Sequence, residues 1–356
     1  MARRPGPRGH VVTGRRALVA ALVVLPVVLL VAALGLGAWC VLPQGRADAP
    51  PSLVTIEPGM TARQIAERLD EAGIVGPAWL TSRLLRLTGI DRSLRAGEYE
   101  LRPGLAPYAV LREIRRGRVV TVPVTLREGL DLFETAEAIA ATGIASREAL
   151  VAAFSDPAPI RDLDPDAEDL EGYLFPETYR FARGADPADI ARTMVAQFRA
   201  RFAEPEAARI AASGLTLRQI VTLASLVEKE TAVPDERARI AGVFLERLAR
   251  GMRLQCDPTV IYALKRAGRW DGNIRKADLS WDHPYNTYVR SGLPPGPIAS
   301  PGLEALRAVL APERDGSLYF VATGDGRHRF SRTFREHRKA VAEYLRERRR
   351  RRAATP

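Results

Sequence analysis

Cysteine and histidine are scarce in this chain, and most familiar catalytic signatures are missing. Two cysteines, Cys40 and Cys256, stand among 356 residues. That is too few for a disulfide-stapled scaffold, and their contexts differ so much that a bridge between them is not expected. No CxxC, HxxH or HExxH spacing occurs, which argues against a zinc site. GxSxG, GxxxxGK[ST] and GxGxxG are absent as well, removing the nucleophile elbow, the P-loop and the dinucleotide fingerprint. Asp162, Asp164 and Asp166 imitate the start of a calcium loop, yet Ala167 replaces the required glycine and Tyr173 the bidentate glutamate. No metal and no cofactor is expected.

Positive charge is plentiful but confined. Lys and Arg number 53 against 42 Asp and Glu, a net charge of +11. Residues 1–16 carry five arginines and no acid, and residues 346–352 carry six arginines with only Glu347. The two tails thus hold ten of the eleven net charges, so the basic balance does not indicate nucleic-acid binding. The C-terminal tail reads either as a solvated helix end or as a contact for anionic lipid or wall polymer.

Residues 17–42 carry no charged side chain and are mostly Ala, Val and Leu. As a helix this stretch spans about 39 Å, enough for a hydrocarbon core of about 30 Å. It is too long for a signal peptide, although Ala47-Asp48-Ala49 resembles a cleavage site. The expectation is an uncleaved anchor with residues 1–16 in the cytoplasm, because the arginines precede the span. The rest then lies outside the cell membrane, away from ATP, NAD and nucleic acid and close to wall polymer.

An internal repeat follows. Residues 54–74 align without gaps to residues 124–144, with seven of 21 positions identical, including Gly59/Gly129 and Gly73/Gly143. Each copy reads as strand, glycine turn, helix and glycine-terminated helix end. Thr61 with Gln64 and Asp131 with Glu134 have capping-box spacing. Residues 95–101, 115–126 and 317–324 read as strands, residues 145–200 as mostly helical, and residues from 205 onward as amphipathic helices followed by a Pro/Gly-rich stretch at 292–302. Strands and helices lack a βαβ rhythm, so the expected class is α+β.

The chemically most informative helix is TLRQIVTLASLVEKET, residues 216–231. It is apolar nearly all round from Ile220 to Val227, as a buried helix is. Glu228 follows Val221 and Ala224 on one face, so its carboxyl should be desolvated and its pKa raised, as a general acid requires. Glu230 lies about 200° further round, and only one of the two readily faces a given cleft. Pairing of both with Lys229, Arg237 or Arg239 beyond the helix end is the competing reading. Asp257 before Pro258 reads as a helix start, either as a plain cap or as a site acid. Residues 283–302 place Asn286 and Thr287 beside Tyr285 and Tyr288 on irregular backbone, a composition suited to sugars or to structure alone. His283, His328 and His337 are further candidate bases.

Five ordered segments carry a resemblance: LEGYLFPETY (170–179), ASLVEKET (224–231), MRLQCDPTVIY (252–262), PYNTYVRSGLPPGPIASPG (284–302) and LYFVATGDGRHRFS (318–331). Together they resemble the endolytic murein transglycosylase, or YceG-like, family. The resemblance implies a LysM-like βααβ module at 52–122, a mixed α+β catalytic domain at 123–345 and a basic tail at 346–356. It implies cleavage of the MurNAc–GlcNAc bond of nascent peptidoglycan glycan strands without water, as a terminator of their elongation. Glu228 would be the catalytic acid, with Glu230, Asp257, Tyr262, Tyr285, Asn286 and Thr287 as supporting or substrate-binding candidates, and penicillin-binding synthases as possible partners. Cys256, His283 and Ser300 depart from residues usual there. A non-catalytic wall-binding scaffold and a true hydrolase using Glu228 with Glu230 or Asp257 remain the alternatives.

Overall fold

The structure, a computed structural model, describes residues 11–44, 49–57, 59–89 and 97–354. Arg3, Arg4 and Arg8, the Ala47-Asp48 pair and the start of the 95–101 segment lie outside the described residues. The chain divides into two compact units, residues 1–120 and 121–356.

The first unit opens with helix α1 (Val11–Val41), which contains Pro26. Within α1, Leu22–Val41 is apolar and long enough to cross a bilayer. Strand β1 (Ser52–Ile56), helices α2 (Ala62–Glu71) and α3 (Ala78–Thr88), strand β2 (Gly97–Leu101) and helix α4 (Pro107–Arg115) follow. β1 and β2 are antiparallel, with Val54 opposite Tyr99. Ile65, Leu69, Leu85, Tyr99, Leu111 and Ile114 form the core of this unit.

The second unit begins with β3 (Thr121–Thr125), α5 (Leu132–Ala140), α6 (Arg147–Phe154), β4 (Thr178–Ala182) and α7 (Pro187–Phe198), which runs into a π turn. Helices α8 (Ala207–Ala212), α9 (Leu217–Glu230), α10 (Arg237–Ala249), α11 (Asp257–Arg266), α12 (Lys276–Leu279) and α13 (Leu303–Leu310) come next. The hairpin β5 (Tyr319–Ala322) and β6 (His328–Ser331) precedes a long basic helix, α14 (Phe334–Ala354). The architecture is mixed α+β, in the class expected from the alternation of patterns.

The two repeat copies share one local design. Each has a strand, a glycine with φ near +80° (Gly59 and Gly129) and a reciprocal capping box, Thr61–Gln64 in one and Asp131–Glu134 in the other. A second left-handed glycine, Gly73 or Gly143, follows each helix.

One expectation needs correction. Residues 145–200 are not mostly helical, because β4 lies among them and pairs antiparallel with β3, Tyr179 opposite Val124 and Phe181 opposite Val122. Tyr179 and Phe181 are buried while Thr178 and Arg180 are exposed, the period-2 pattern of a half-buried strand. Its partner lies more than fifty residues earlier, so no local window reveals the pairing.

Candidate functional site

Helix α9 positions the site. Thr216 caps its start, accepting from the Gln219 amide while Gln219 reaches back to the Thr216 amide. Ile220 to Val227 are buried without interruption, so the helix runs through the core beside α10, α11 and α13 and emerges again at residues 228–230. Burial of so many apolar side chains fixes the helix axis, and the last turn can therefore present a side chain rigidly.

Its two glutamates face different surroundings. The Glu228 carboxylate accepts from the Gly302 amide at 3.0 Å, at the N-terminus of α13, and lies 3.7 Å from the Arg237 guanidinium. The loops around it are stitched together: Gly129 N donates to Ser300 O, Ser300 N to Leu130 O, and Lys229 Nζ to Gly129 O. A Cβ on Gly129 would stand 3.6 Å from the Glu228 side chain, an ordinary contact, so glycine is required here for its φ of +78° and not for space. Burial raises the Glu228 carboxyl above its ordinary range, opposed by the Gly302 amide and Arg237. Glu228 thus latches the end of α9 to the start of α13.

Glu230 opens onto a cavity of about 390 Å³. Its Oε1 accepts from the Cys256 thiol at 3.0 Å. Burial pushes its carboxyl up, and nearby Asp257 adds to the shift, while the thiol, His328 and Arg247 oppose it. Asp257 lines the same cavity and accepts from the Tyr288 hydroxyl. It is the first residue of α11, whose N-cap is Cys256, a residue that makes no side-chain capping bond. Arg247 reaches the cavity from α10 with its guanidinium committed to the carbonyls of Leu318 and Leu254, beneath the Tyr319 ring. His328 holds a Glu236 carboxylate at 2.8 Å. Acid, cation and imidazole therefore line one cavity, with the Cys256 thiol behind the acid, and burial of the Glu230 carboxyl shifts it toward the protonated form that a general acid needs.

The cavity wall is strained at Gln255, a non-glycine residue at φ +53°. Backbone bonds hold it there: Gln255 N donates to Thr287 O, and Cys256 N to Thr287 Oγ1. Thr287 Oγ1 also pairs with Thr259 Oγ1 at 2.9 Å, and Thr259 reaches back to Cys256 O. This buried network sets where the Cys256 thiol points. Strain of this kind persists only where the surroundings over-determine it.

The profile of the YceG-like family matches residues 54–343. The chain belongs to the YceG-like family. It is 32% identical over 311 residues to the endolytic murein transglycosylase of Bacillus subtilis, covering 82% of this chain and 84% of that protein. It is 30% identical over 325 residues to the Streptococcus pneumoniae protein of the same name, covering 58% of the latter. The crystal structure of a yceG-like protein from Listeria monocytogenes superimposes with a TM-score of 0.56 at 31% identity, over 82% of this chain and all of that one.

In this YceG-like chain the residues singled out from the sequence fall into three groups. Glu230 and Asp257 share the cavity. Glu228 lies outside its lining, at the latch. Asn286, Thr287, Tyr262 and Tyr285 are buried and line no part of it. Asn286 Nδ2 donates to the carbonyls of Asp278, Leu279 and Trp281, and its Oδ1 accepts from the Tyr288 amide. That leaves it a corner post for the loop carrying Tyr288. Tyr262 and Tyr285 pack ring to ring at 5.0 Å, beside Glu171, a fully buried acid pushed up to about 8. Arg247, Gln255, Tyr319 and Phe334 also line the cavity and were not anticipated. An arginine in the last turn of an amphipathic helix carries no local mark of such a position.

Proposed function

We propose that this chain is a membrane-anchored endolytic murein transglycosylase that acts on peptidoglycan glycan strands, with Glu230 as its acid. The observation that carries the reading is the Glu230 carboxyl, desolvated, held by the Cys256 thiol and open to the cavity. The activity named for the Bacillus and pneumococcal relatives supports the reaction class. The position expected from the resemblance was Glu228. Its carboxylate is engaged by the Gly302 amide and Arg237, so the first proton transfer is assigned to its neighbour, which lines the cavity.

The chemistry needs one acid. Protonated Glu230 donates to the glycosidic oxygen as the bond from C1 of N-acetylmuramic acid to that oxygen breaks, releasing the N-acetylglucosamine 4-hydroxyl. The carboxylate then takes the proton of the muramyl 6-hydroxyl, whose oxygen attacks C1 and closes a 1,6-anhydro ring. The nucleophile belongs to the substrate, so its effective concentration is high and no water enters. Hydrolysis by a carboxylate pair is the second reading, favoured by Asp257 in the same cavity.

The first unit, with element order β1-α2-α3-β2, is proposed as a LysM-like glycan-binding module. α1 is proposed as a single membrane span with its N-terminus in the cytoplasm, and the products as termination points of strand elongation beside penicillin-binding synthases. Mass spectrometry of products from purified glycan strands tests the reaction. Fragments one water lighter than hydrolytic products, lost in Glu230→Gln, are expected. Reducing ends would indicate hydrolysis, and no cleavage by a folded wild type would leave a binding scaffold.

A further inference from the structure

The cavity that holds Glu230 has a polar floor and an aromatic rim, and one ring of that rim, Phe334, remains exposed. Phe334, the first residue of α14, is 58% exposed, unusual for a phenylalanine that lines a cavity. His337 stands one turn further along α14 and stacks on Tyr319 at 5.2 Å with 21° between the ring planes. Phe334 lies 5.8 Å from Tyr319 and 6.4 Å from His337. The three rings come from β5 and from the i, i+3 face of α14, so their arrangement is fixed by packing. Arg247 sits 5.1 Å from Tyr319 and anchors that ring from below. His337 Nδ1 is buried without a hydrogen-bond partner among the described residues, and desolvation, with Arg247 nearby, lowers the imidazole below its ordinary range.

A pyranose ring has an apolar C–H face and a polar equatorial edge. An exposed aromatic face opening into a cavity lined by the carboxyl groups of Glu230 and Asp257 presents the complement of both. We propose that Phe334, Tyr319 and His337 form a sugar-stacking subsite that seats one ring of the glycan strand next to the Glu230 cleft, with Phe334 as the stacking platform. This rests on the glycan reading above and deepens it by naming the wall that grips the strand. A flat, exposed aromatic face contributes through burial and ring geometry more than through directional bonds.

The test is binding of peptide-free glycan strands to the full-length protein in detergent. The Glu230→Gln background is used so that ligand is not consumed. Phe334→Ala should weaken binding about tenfold, about 1.4 kcal/mol. Phe334→Trp should keep it within about twofold, while Phe334→Leu, apolar but not flat, should behave like alanine. Unchanged melting temperatures verify that the exposed position leaves folding intact. Equal binding by Phe334→Ala and the parent, or leucine matching tryptophan, overturns the subsite, as does a parent that binds no glycan. If binding depends on Phe334 yet wild-type protein yields no anhydro products, the subsite stands and the transglycosylase reading falls.

Discussion

Glu230→Gln separates chemistry from architecture. The amide is nearly isosteric, and its oxygen still accepts from the Cys256 thiol that now lies 3.0 Å from Oε1, but it has no acidic proton for a leaving oxygen. General acid catalysis contributes roughly 10²–10⁴ in rate, so turnover should fall by about 10³, or about 4 kcal/mol of transition-state stabilisation. Folding should respond in the opposite sense. Burial raises the Glu230 carboxyl in the folded chain. A group of this kind contributes stability that is complete below its unfolded value, near 4.3, and is lost as pH rises through the folded value. Removing it should leave the variant at least as resistant to heat as the parent at pH 7, with the difference vanishing below about pH 4. Glu228→Gln keeps an oxygen for the Gly302 amide and should retain turnover within about tenfold. Product release from glycan strands and thermal unfolding of the full-length proteins in detergent, measured side by side across pH, provide both readouts. Wild-type turnover in Glu230→Gln, or abolition by Glu228→Gln alone, would refute the assignment.

Other consequences are equally direct. Cys256→Ala removes the thiol donor that favours the ionised form of Glu230, so the alkaline limb of the turnover profile should move to higher pH, whereas Cys256→Ser should restore a donor and much of the parental profile. An unmoved limb in the alanine variant would remove Cys256 from proton control. Gly172 has φ +83°, and a Cβ there would stand 2.5 Å from Pro297 and 2.8 Å from Val221. Gly172→Ala should therefore cost about 3 kcal/mol, lowering the melting temperature by roughly 6–12 °C. Asn286→Ala strands three carbonyls, one buried and two part-buried, and should cost about 2–4 kcal/mol in denaturant unfolding, with catalysis in the surviving folded fraction reduced because the Tyr288 loop loses its post.

Much of the fold was legible because its signals are local. Uncharged residues 17–42 mark a membrane-length helix by composition, the capping boxes at Thr61 and Asp131 mark helix starts by spacing, and the unbroken apolar run from Ile220 to Val227 marks a buried helix that must end at the acids. That Glu228 and Glu230 cannot share one cleft also follows from 100° per residue. Which of them lines the cavity does not. That depends on loop 300–302 closing over Glu228 through the Gly302 amide, and on α11, β5 and α14 enclosing the space before Glu230, contacts between residues separated by some 25 to over 100 positions. Strand β4 was missed for the same reason, since its one ladder partner is a strand far upstream. Periodicity and caps report what a segment does with its own neighbours. The protonation, access and aromatic wall of this site arise from desolvation by distant side chains, and only the folded chain brings those together.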